Sequence, residues 1–340
     1  MAAGRFKKRC SMTTVSVIGG GAWGTALALS SLWAENSVIQ WMRNEQDLNN
    51  IQQKGMHERL LPGVHIPSTL KLTLNFEDTL RSNVILLVTP AQTIRDMLEK
   101  LKPSLGKDNY VVICAKGIEM STGLMLHQIA QEILVDLPCS ILSGPTFAHD
   151  VAMGFPITAT LASHTLDLSQ RLCKILSSKS FRLYPTEDLT GVAVAGSLKN
   201  VIALAAGIAH GKGLSASSKA SLITRGLAEI TRLGQALDAK SETFLGPAGV
   251  GDLVLSCTSL QSRNMKLGQI IGESPLPFSK IEYSALSEGV HTVHAVRLLS
   301  KKLGVDMPIS DAVYNIIYKD APVGEEISKL LARPLKMSSN

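Results

Sequence analysis

The chain has few aromatic residues and lacks the common hydrolase and nucleoside-triphosphatase motifs. Aromatic residues make up 4% of the 340 positions, too few for the stacking platforms with which proteins bind single-stranded nucleic acid. The absence of GxSxG, HExxH and GxxxxGKS/T patterns argues against a serine hydrolase, a zinc protease and a P-loop enzyme. No apolar run approaches the ~20 residues that span a bilayer. We therefore expect neither nucleic-acid binding nor stable membrane insertion.

Cysteine is also sparse, and no pattern of metal ligands stands out. The five cysteines are odd in number and show no CxxC spacing. Several lie in apolar segments, which is typical of buried free thiols in a reducing compartment and predicts a cytoplasmic protein. His291 and His294 stand three residues apart on a predicted helix, but no third ligand has a matching spacing. No metal site is expected.

The net charge is +6, from 34 basic and 28 acidic residues. Part of the excess lies within residues 1–12, which we expect to form a disordered leader. The remaining basic residues are scattered, which suits a small anionic ligand better than a nucleic acid. Hydrophobic residues (45%) and charged residues (18%) occur in the proportions of an ordinary globular protein.

The most informative segment covers residues 15–29 and reads VSVIGGGAWGTALAL. A β-branched alternation precedes a GxGxxG turn, and an alanine- and leucine-rich helix pattern follows it. In the dinucleotide-binding form of this unit Gly19 permits the sharp turn, Gly21 lets a pyrophosphate approach the backbone, and Gly24 lets the helix pack against the strand. The helix N-terminus then faces the phosphates. The segment predicts a dinucleotide site.

The end of the second predicted strand bears on the choice of cofactor. An acidic residue usually stands there and binds the ribose 2′-hydroxyl of NAD. The strand at 37–42 is instead followed by Arg43 and Asn44. Because a cation attracts the 2′-phosphate of NADP, we expect NADPH to be preferred, with NADH still usable. A solvated loop arginine is the alternative interpretation.

Apolar runs and helical patterns alternate over the first half of the chain. The runs at 84–88 and 110–115 are typical of strands buried on both faces. This alternation predicts a parallel, doubly wound Rossmann-type sheet over residues 13–190, the dinucleotide-binding domain. Strand signals disappear from about Gly191, so residues 191–335 are predicted to form an all-helical, substrate-binding domain. Further strands are expected at 139–142, 157–161 and 181–184.

Polar residues follow three of the predicted strands. Thr89, Lys116 and the Ser-Gly-Pro-Thr segment at 143–146 each come directly after an apolar run. Because ligands of open α/β sheets bind outside the carboxyl ends of the strands, we expect these residues to lie at the same edge as the glycine turn.

Lys199 interrupts an almost wholly apolar helix, predicted over 196–209, and stands in its first turn. Burying an unpaired ammonium is costly, so we expect Lys199 to reach a cleft beside the dinucleotide domain; snorkelling to solvent is the alternative. Further on, a glycine-rich loop ends in Asp252, and Arg263 with Asn264 can donate several hydrogen bonds to a phosphate. A polar loop with a solvated arginine is the alternative there.

These segments resemble the NAD(P)-dependent glycerol-3-phosphate dehydrogenases of the bacterial type. The resemblance runs in family order from about Thr13 to Leu331. Members of that family use NAD(P)H to reduce dihydroxyacetone phosphate reversibly to sn-glycerol 3-phosphate, and so supply glycerophospholipid synthesis. The resemblance implies a small phosphorylated substrate and a homodimer. The matching segments are GGGAWGTALA, AKGIE (115–119), SGPTFA (143–148), GSLKNVIALAAGI (196–208), TRGLAEI (224–230), GVGDLVLSCTS with QSRN (249–264) and EG (288–289).

The resemblance also implies roles for individual residues. Lys199 is the implied catalytic acid/base residue, and no metal ligand is implied. The implied substrate contacts are Lys116, Gly144, Thr146, Lys199, Asp252, Ser262, Arg263 and Asn264. The implied cofactor contacts are Gly19, Gly21, Ala22, Trp23, Gly24, Arg43, Lys116, Ala148, Arg263, Leu286 and Glu288.

Two other functions are compatible with the sequence. A β-hydroxyacid-type dehydrogenase also joins a Rossmann domain to a helical domain and uses a lysine. It would recognise a carboxylate, however, and the segment at 262–264 suits a phosphate better. A non-catalytic NADP(H)-sensing protein would have no need of Lys199 and Asp252.

Overall fold

The computed structural model describes residues 13–283 and 287–333, so the leader predicted at residues 1–12 lies outside the described residues. Over these ranges the chain forms an eight-stranded sheet flanked by helices, and a mostly helical second half follows. The predicted fold class, a Rossmann-type sheet followed by a helical half, is therefore confirmed.

The strands and helices of the described ranges follow in chain order. The ten strands are β1 (Thr14–Ile18), β2 (Ser37–Trp41), β3 (Met56–His57), β4 (Leu61–His65), β5 (Lys71–Thr73), β6 (Val84–Leu87), β7 (Tyr110–Ile113), β8 (Cys139–Ser143), β9 (Ile157–Ser163) and β10 (Phe181–Thr186). The thirteen α-helices are α1 (Ala22–Trp33), α2 (Glu45–Lys54), α3 (Ile94–Leu101), α4 (Leu126–Leu134), α5 (Ala148–Ala152), α6 (Leu166–Leu176), α7 (Leu189–Gly211), α8 (Ala216–Gln235), α9 (Asp252–Thr258), α10 (Arg263–Glu273), α11 (Glu288–Leu303), α12 (Pro308–Lys319) and α13 (Val323–Leu331).

Helices cover both faces of the sheet, and the central strand β6 is apolar along its whole length. In β6, Val84 and Leu86 pack in the same apolar cluster as Leu27 of α1. The alternate residues Ile85 and Leu87 pack in the cluster on the other face, which includes residues of α3 and α4. This alternation is the two-residue period of a strand buried on both sides.

The sheet has the strand order β10-β9-β8-β7-β6-β1-β2-β5. Neighbouring strands are parallel except β8 and β9, which run antiparallel. The sheet therefore differs from the wholly parallel one that the sequence predicts. The helix between these two strands, α5, has five residues and rises only about 8 Å. Since β8 is about 16 Å long, α5 is too short to carry the chain back along it for a parallel crossover.

Helix α7 is the core of the helical half. It has 23 residues, and α8, α9, α10 and α11 pack around it. Its length and its mean hydropathy of 1.7 would suffice to cross a membrane, but 89% of that apolar stretch is buried inside the protein. The helix begins at Leu189 rather than at residue 196. Lys199 therefore lies in the interior of the helix and not in its first turn.

The reversed direction of β9 and β10 explains where Lys199 arrives. We call the edge formed by the carboxyl ends of β1, β6, β7 and β8 the rim. Because β10 runs the other way, α7 starts at the opposite edge and runs towards the rim. The ten residue steps from Leu189 to Lys199 rise about 15 Å, close to the length of a five-residue strand. Lys199 thereby reaches the rim, near which Gly196 packs against Ser143 at the end of β8.

The glycine turn between β1 and α1 has the geometry that GxGxxG predicts. Gly19 has a φ of +142°, and a Cβ at this position would lie 2.7 Å from Val88 O. A Cβ at Gly24 would overlap the carbonyl oxygen of Gly19, so α1 can lie against the turn only without a side chain there. At Gly21 a Cβ would have no neighbour within 4 Å, and α1 has no side-chain cap. This open helix N-terminus is the surface that a pyrophosphate needs.

The side chain of Gln40, in β2, bonds to the glycine turn. Its side chain is fully buried, and Nε2 donates to Gly19 O at 2.8 Å and to Thr25 Oγ1 at 3.0 Å. Through these two donated bonds Gln40 fixes both the glycine turn and the first turn of α1, while its Oε1 is buried without a partner among the described residues. A lone polar residue inside an otherwise apolar strand was the signal in the sequence.

We expect Gly24→Ala and Gly21→Ala to separate stability from binding. Gly24→Ala forces α1 away from the turn and should lower the free energy of unfolding by about 2 kcal/mol, as overpacked sites do. Gly21 has a backbone conformation open to alanine (φ −79°, ψ 174°), so Gly21→Ala should stay within about 0.5 kcal/mol of the parent. Its Cβ would instead obstruct a pyrophosphate and raise the Kd for NADPH about tenfold.

Urea unfolding and titration of NADPH fluorescence measure these two quantities. Equal losses of stability in the two variants would contradict the packing described for Gly24. An unchanged Kd in Gly21→Ala would show that the phosphates do not lie against this turn.

Candidate active site

Two lysines and one aspartate meet at the rim, where the two halves of the chain face each other. Lys116 follows β7 in the sheet half, Lys199 lies on α7, and Asp252 is the first residue of α9. Lys116 Nζ donates to Asp252 Oδ2 and Lys199 Nζ donates to Asp252 Oδ1, each at 2.6 Å. One carboxylate thus bridges two ammonium groups; we call this arrangement the Asp252 bridge.

Each ammonium group has one further acceptor. Lys116 Nζ donates to Gly144 O at 3.1 Å, and Lys199 Nζ donates to Ser256 Oγ at 2.8 Å. An ammonium has three donors, and within the described ranges the third N–H of each lysine is left for a ligand. The sequence reasoning missed Ser256. It stands four residues after Asp252 on α9, a spacing that places both on one helix face, so the pattern contained the signal.

The Asp252 bridge is buried and carries a net charge of +1 when both lysines are protonated. The Asp252 side chain is 1% exposed, against 15% for Lys116 and 12% for Lys199. Desolvation lowers the pKa of Lys116 to about 8, because it outweighs the attraction of Asp252, and the charge of Lys199 acts in the same direction. A buried site with a positive excess attracts an anionic ligand.

The segment after β8 forms the wall of the site on the sheet side. Gly144 O accepts from Lys116 Nζ and from Thr146 Oγ1, the latter at 3.2 Å. A Cβ on Gly144 would lie 2.7 Å from Ala159 Cα, so this turn packs directly against β9. Gly144 and Thr146 therefore lie beside Lys116, as the sequence predicts.

The N-terminus of α10 provides three further predicted residues. Ser262 caps this helix, and its Oγ accepts from Met265 N at 3.3 Å. Arg263 is the first residue of the helix, and its side chain is exposed. The first N–H groups of a helix have no acceptor within it, so those of Arg263 and Asn264 are open to an anion.

The side chain of Asn264 bonds to three residues of the protein, and its predicted contact with a phosphate stays a prediction. Its Nδ2 donates to Asn200 Oδ1 at 2.9 Å, and its Oδ1 accepts from Gly289 N at 3.0 Å and from Ser287 Oγ. The residue is also buried. Asn264 thus ties α7, α10 and α11 together, while its backbone N–H and the second N–H of its amide have no acceptor among the described residues.

Most predicted cofactor residues lie around the glycine turn. Ala22 is the first residue of α1, and the next residue, Trp23, donates from its indole Nε1 to Cys114 O at 3.2 Å. Ala148 is the first residue of α5. Arg43, after β2, is exposed, and its side chain has no hydrogen-bond partner in the part of the chain that the structure describes.

Glu288, the first residue of α11, contacts the sheet half. Its Oε1 accepts from Ala91 N at 3.3 Å, whereas its buried Oε2 has no partner among the residues described. Thr89 Oγ1, at the end of β6, is likewise buried without a described partner. Burial raises the pKa of Glu288. The predicted contact Leu286 lies outside the described residues.

These features fit a dinucleotide at the rim. Buried polar atoms normally have hydrogen-bond partners. Glu288 Oε2 and Thr89 Oγ1 have none among the described residues, and polar groups of a bound ligand would satisfy them. The open surface at Gly21 adds room for a pyrophosphate. Within the described ranges no group of three or more His, Cys, Asp or Glu side chains is arranged to hold a metal ion.

We expect Asp252→Asn to destabilise the protein more at pH 6.5 than at pH 9. Without the carboxylate two buried ammonium groups face each other, and breaking a buried pair costs about 3–5 kcal/mol. Lys116 gives up its proton near pH 8 in the parent and at lower pH in the variant, since the carboxylate no longer favours the charged form. At pH 9 the repulsion is therefore relieved.

Urea unfolding at the two pH values measures the difference. The matched control is Glu187→Gln, which removes an ion pair with Lys240 whose side chains are 52% and 48% exposed. Because water screens such an exposed pair, this variant should unfold at nearly the same urea concentration as the parent at both pH values. A loss of stability in Asp252→Asn that does not depend on pH would contradict the Asp252 bridge.

Comparisons with known proteins cover almost the whole chain. The family model for the NAD-dependent glycerol-3-phosphate dehydrogenase N-terminus matches residues 14–169, and the model for the C-terminus matches residues 188–328. A glycerol-3-phosphate dehydrogenase (NAD(P)+) of Rhodospirillum rubrum is 41% identical over 325 residues, covering 95% of this chain and 93% of the relative. The Parvibaculum lavamentivorans enzyme of the same name is 39% identical over 323 residues, covering 95% and 97%.

A solved structure shows the same similarity. The crystal structure of glycerol-3-phosphate dehydrogenase from Coxiella burnetii superposes with a TM-score of 0.87 at 32% sequence identity, covering 95% of this chain and 99% of that one. The fold, the glycine turn and the sequence matches agree. The chain belongs to the NAD-dependent glycerol-3-phosphate dehydrogenase family.

Proposed function

We propose that this protein catalyses the reversible reduction of dihydroxyacetone phosphate to sn-glycerol 3-phosphate, with NADPH preferred and NADH usable. The observation that carries the proposal is the Asp252 bridge, because it brings a proton donor and a positive excess to the rim that holds the glycine turn. The reaction needs one hydride and one proton. Family membership supports the same reaction.

NAD(P)H, when bound at the glycine turn, supplies the hydride that reaches C2 of the substrate. Negative charge then develops on the C2 oxygen, so a proton donor must already be in place. Lys199 is that donor. Its bonds to Asp252 and Ser256 fix Nζ and leave one N–H for the oxygen. In the reverse direction the neutral amine of Lys199 takes the proton from the C2 hydroxyl.

Lys116 binds the substrate and keeps its proton. Its ammonium group is fixed by Gly144 O and Asp252, and its third N–H is directed to a substrate oxygen. With a pKa of about 8, Lys116 remains charged at neutral pH. Asp252 balances one of the two lysines, and the remaining charge complements the substrate's phosphate.

The phosphate group of the substrate binds at the N-terminus of α10. The open N–H groups of Arg263 and Asn264 and the helix dipole favour an anion there. The exposed guanidinium of Arg263 adds a charge-assisted contact, and Ser262 holds the first turn in shape. Anchoring the phosphate in this way aligns the carbonyl group with Lys199.

We further propose that residues 13–190 form the dinucleotide-binding domain and the described residues from 191 onwards the substrate-binding domain; residues 334–335 of the predicted range lie outside the described residues. The last strand of the sheet ends at Thr186, and α7 begins at Leu189. The Asp252 bridge joins Lys116 of the first domain to two residues of the second, which supports a reaction site between them.

We also propose a cytoplasmic homodimer that supplies glycerophospholipid synthesis. The four described cysteines are free and buried, and burial raises the pKa of each thiol, which suits a reducing compartment. The first half of α8 is largely exposed, with Leu222 and Ile223 only half-buried. A second copy of the chain can cover this surface.

Two alternative functions are not favoured. A β-hydroxyacid-type dehydrogenase would recognise a carboxylate, whereas both halves of this chain match glycerol-3-phosphate dehydrogenases. A non-catalytic NADP(H) sensor would not need two lysines that are fixed on one buried carboxylate.

We expect Lys199→Ala to lower kcat for dihydroxyacetone phosphate by about 10²-fold or more, because the developing alkoxide loses its proton donor. The Kd for NADPH should stay within about twofold, since Lys199 does not border the glycine turn. Steady-state rates and NADPH fluorescence titrations measure the two effects. Lys240→Ala, which removes an exposed lysine paired with Glu187, is the control and should retain full activity. Near-normal turnover of Lys199→Ala would refute this role.

Parallel assays with NADPH and NADH test the reaction and the cofactor preference together. We expect dihydroxyacetone phosphate to oxidise both, with kcat/KM about tenfold higher for NADPH because Arg43 can pair with the 2′-phosphate. Absorbance at the nicotinamide band follows the rates. Equal values would remove the role of Arg43 but keep the enzyme. If neither cofactor were oxidised although both bind, the proposed reaction would be wrong.

A further inference from the structure

A second polar cavity lies at the start of α2, apart from the Asp252 bridge. Its volume is about 180 Å³, and its lining includes Asn44, Asp47, His57 and Arg59. Asn44 directly follows Arg43, the residue expected to meet the 2′-phosphate of the cofactor. The cavity therefore borders the place where a 2′-phosphate would lie.

Arg59 is held in this cavity by a two-point ion pair. Its Nη2 donates to Asp47 Oδ2 at 2.6 Å and its Nε to Asp47 Oδ1 at 3.4 Å. The Asp47 side chain is only 12% exposed, whereas that of Arg59 is 62% exposed. The guanidinium thus has a fixed orientation and an open side, and its Nη1 donates to none of the described residues.

The strand pair β3–β4 connects this cavity to the glycine turn. Nε2 of His57, a buried residue of β3, lies 3.3 Å from Gly20 O. A carbonyl oxygen can only accept, so this nitrogen carries the proton. His57 Nε2 is also 4.0 Å from Asp47 Oδ2. Arg59 follows two residues later, so its backbone is tied to the loop expected to hold the pyrophosphate.

The charges around the cavity allow a second cation, besides Arg43, to contact an anion. Both carboxylates in its lining have a cation of their own, Asp47 with Arg59 and Glu58 with Lys54 at 2.9 Å. Arg43 forms no ion pair in the part of the chain that the structure describes. A phosphate monoester carries a charge of about −1.5 to −2 and three acceptor oxygens at pH 7, more than one guanidinium can satisfy.

We propose that Arg59 is a second specificity-determining residue for the 2′-phosphate of NADP(H), oriented by Asp47. This inference rests on the proposed binding of NADPH at the glycine turn. Arg43 approaches the phosphate from the end of β2, and Arg59 approaches it from the connection between β3 and β4. Two guanidinium groups on different elements then bind one phosphate, while the ribose hydroxyl of NADH engages neither.

The test is the Kd of NADPH and of NADH, measured by fluorescence titration of the full chain without substrate. Arg59→Ala should raise the Kd for NADPH about tenfold, the scale of one charge-assisted hydrogen bond, and leave the Kd for NADH within about twofold. Arg59→Gln keeps an amide that can donate to Asp47 and should show the same selective loss. Lys240→Ala, which removes an exposed cation that pairs with Glu187 and does not line the cavity, should change neither value.

The double variant Asp47→Asn/Arg59→Ala separates a direct contact from the exposure of the Asp47 carboxylate. A selective loss of NADPH affinity that persists in the double variant supports the contact. Full recovery there would overturn it. Equal losses of affinity for both cofactors in Arg59→Ala would also overturn the proposal, since Arg59 would then only support the glycine turn. No loss of affinity for either cofactor would overturn it too, since Arg59 would then play no part in binding.

The parent protein distinguishes this inference from the proposed function. A parent that binds neither cofactor would contradict the dinucleotide site itself. A parent that binds NADPH more tightly than NADH, together with an Arg59→Ala variant that keeps this preference, would contradict only the role of Arg59.

Discussion

The carboxylate of Asp252 lies between two ammonium groups that come from different halves of the chain. Burying any one of these charges alone would cost several kcal/mol, so the three are stable only together. The bridge therefore constrains the fold. The segment after β7, helix α7 and helix α9 must bring Lys116, Lys199 and Asp252 to one point. The apolar packing around α7 supplies that precision, because a close-packed helix has little freedom to shift.

The rim joins this bridge to the proposed cofactor site. Glu288 of α11 bonds to the backbone after β6, and the side chain of Asn264 holds α7, α10 and α11 in a fixed arrangement. The proposed proton donor Lys199, the proposed phosphate site and the glycine turn thus belong to one framework. In the proposed reaction such a framework would hold the substrate carbonyl in line with Lys199, and positioning of this kind lowers the barrier to reaction.

Local patterns revealed the parts of this arrangement that depend on short stretches of chain. The glycine turn, the buried strands and the charge of Lys199 within an apolar helix were all readable, because turns, periodicity and burial follow from neighbouring residues. Local patterns did not predict the antiparallel pairing of β8 with β9 or the start of α7 at Leu189. The first depends on the length of α5, and the second depends on packing contacts with residues that are distant in the sequence. The pairing of Asn264 with Asn200 likewise joins residues 64 positions apart.

The route of α7 across the molecule has a consequence for how such a chain can change its length. The position of Lys199 is set by counting helical residues from Leu189, and one inserted residue would turn its side chain by about 100° around the helix axis. Surface connections tolerate added residues much more readily. We therefore expect inserted or deleted residues to be tolerated in the loops but not in the stretch from the last strand to Lys199. The number of helical residues thus sets the distance between the far edge of the sheet and the ammonium group of Lys199.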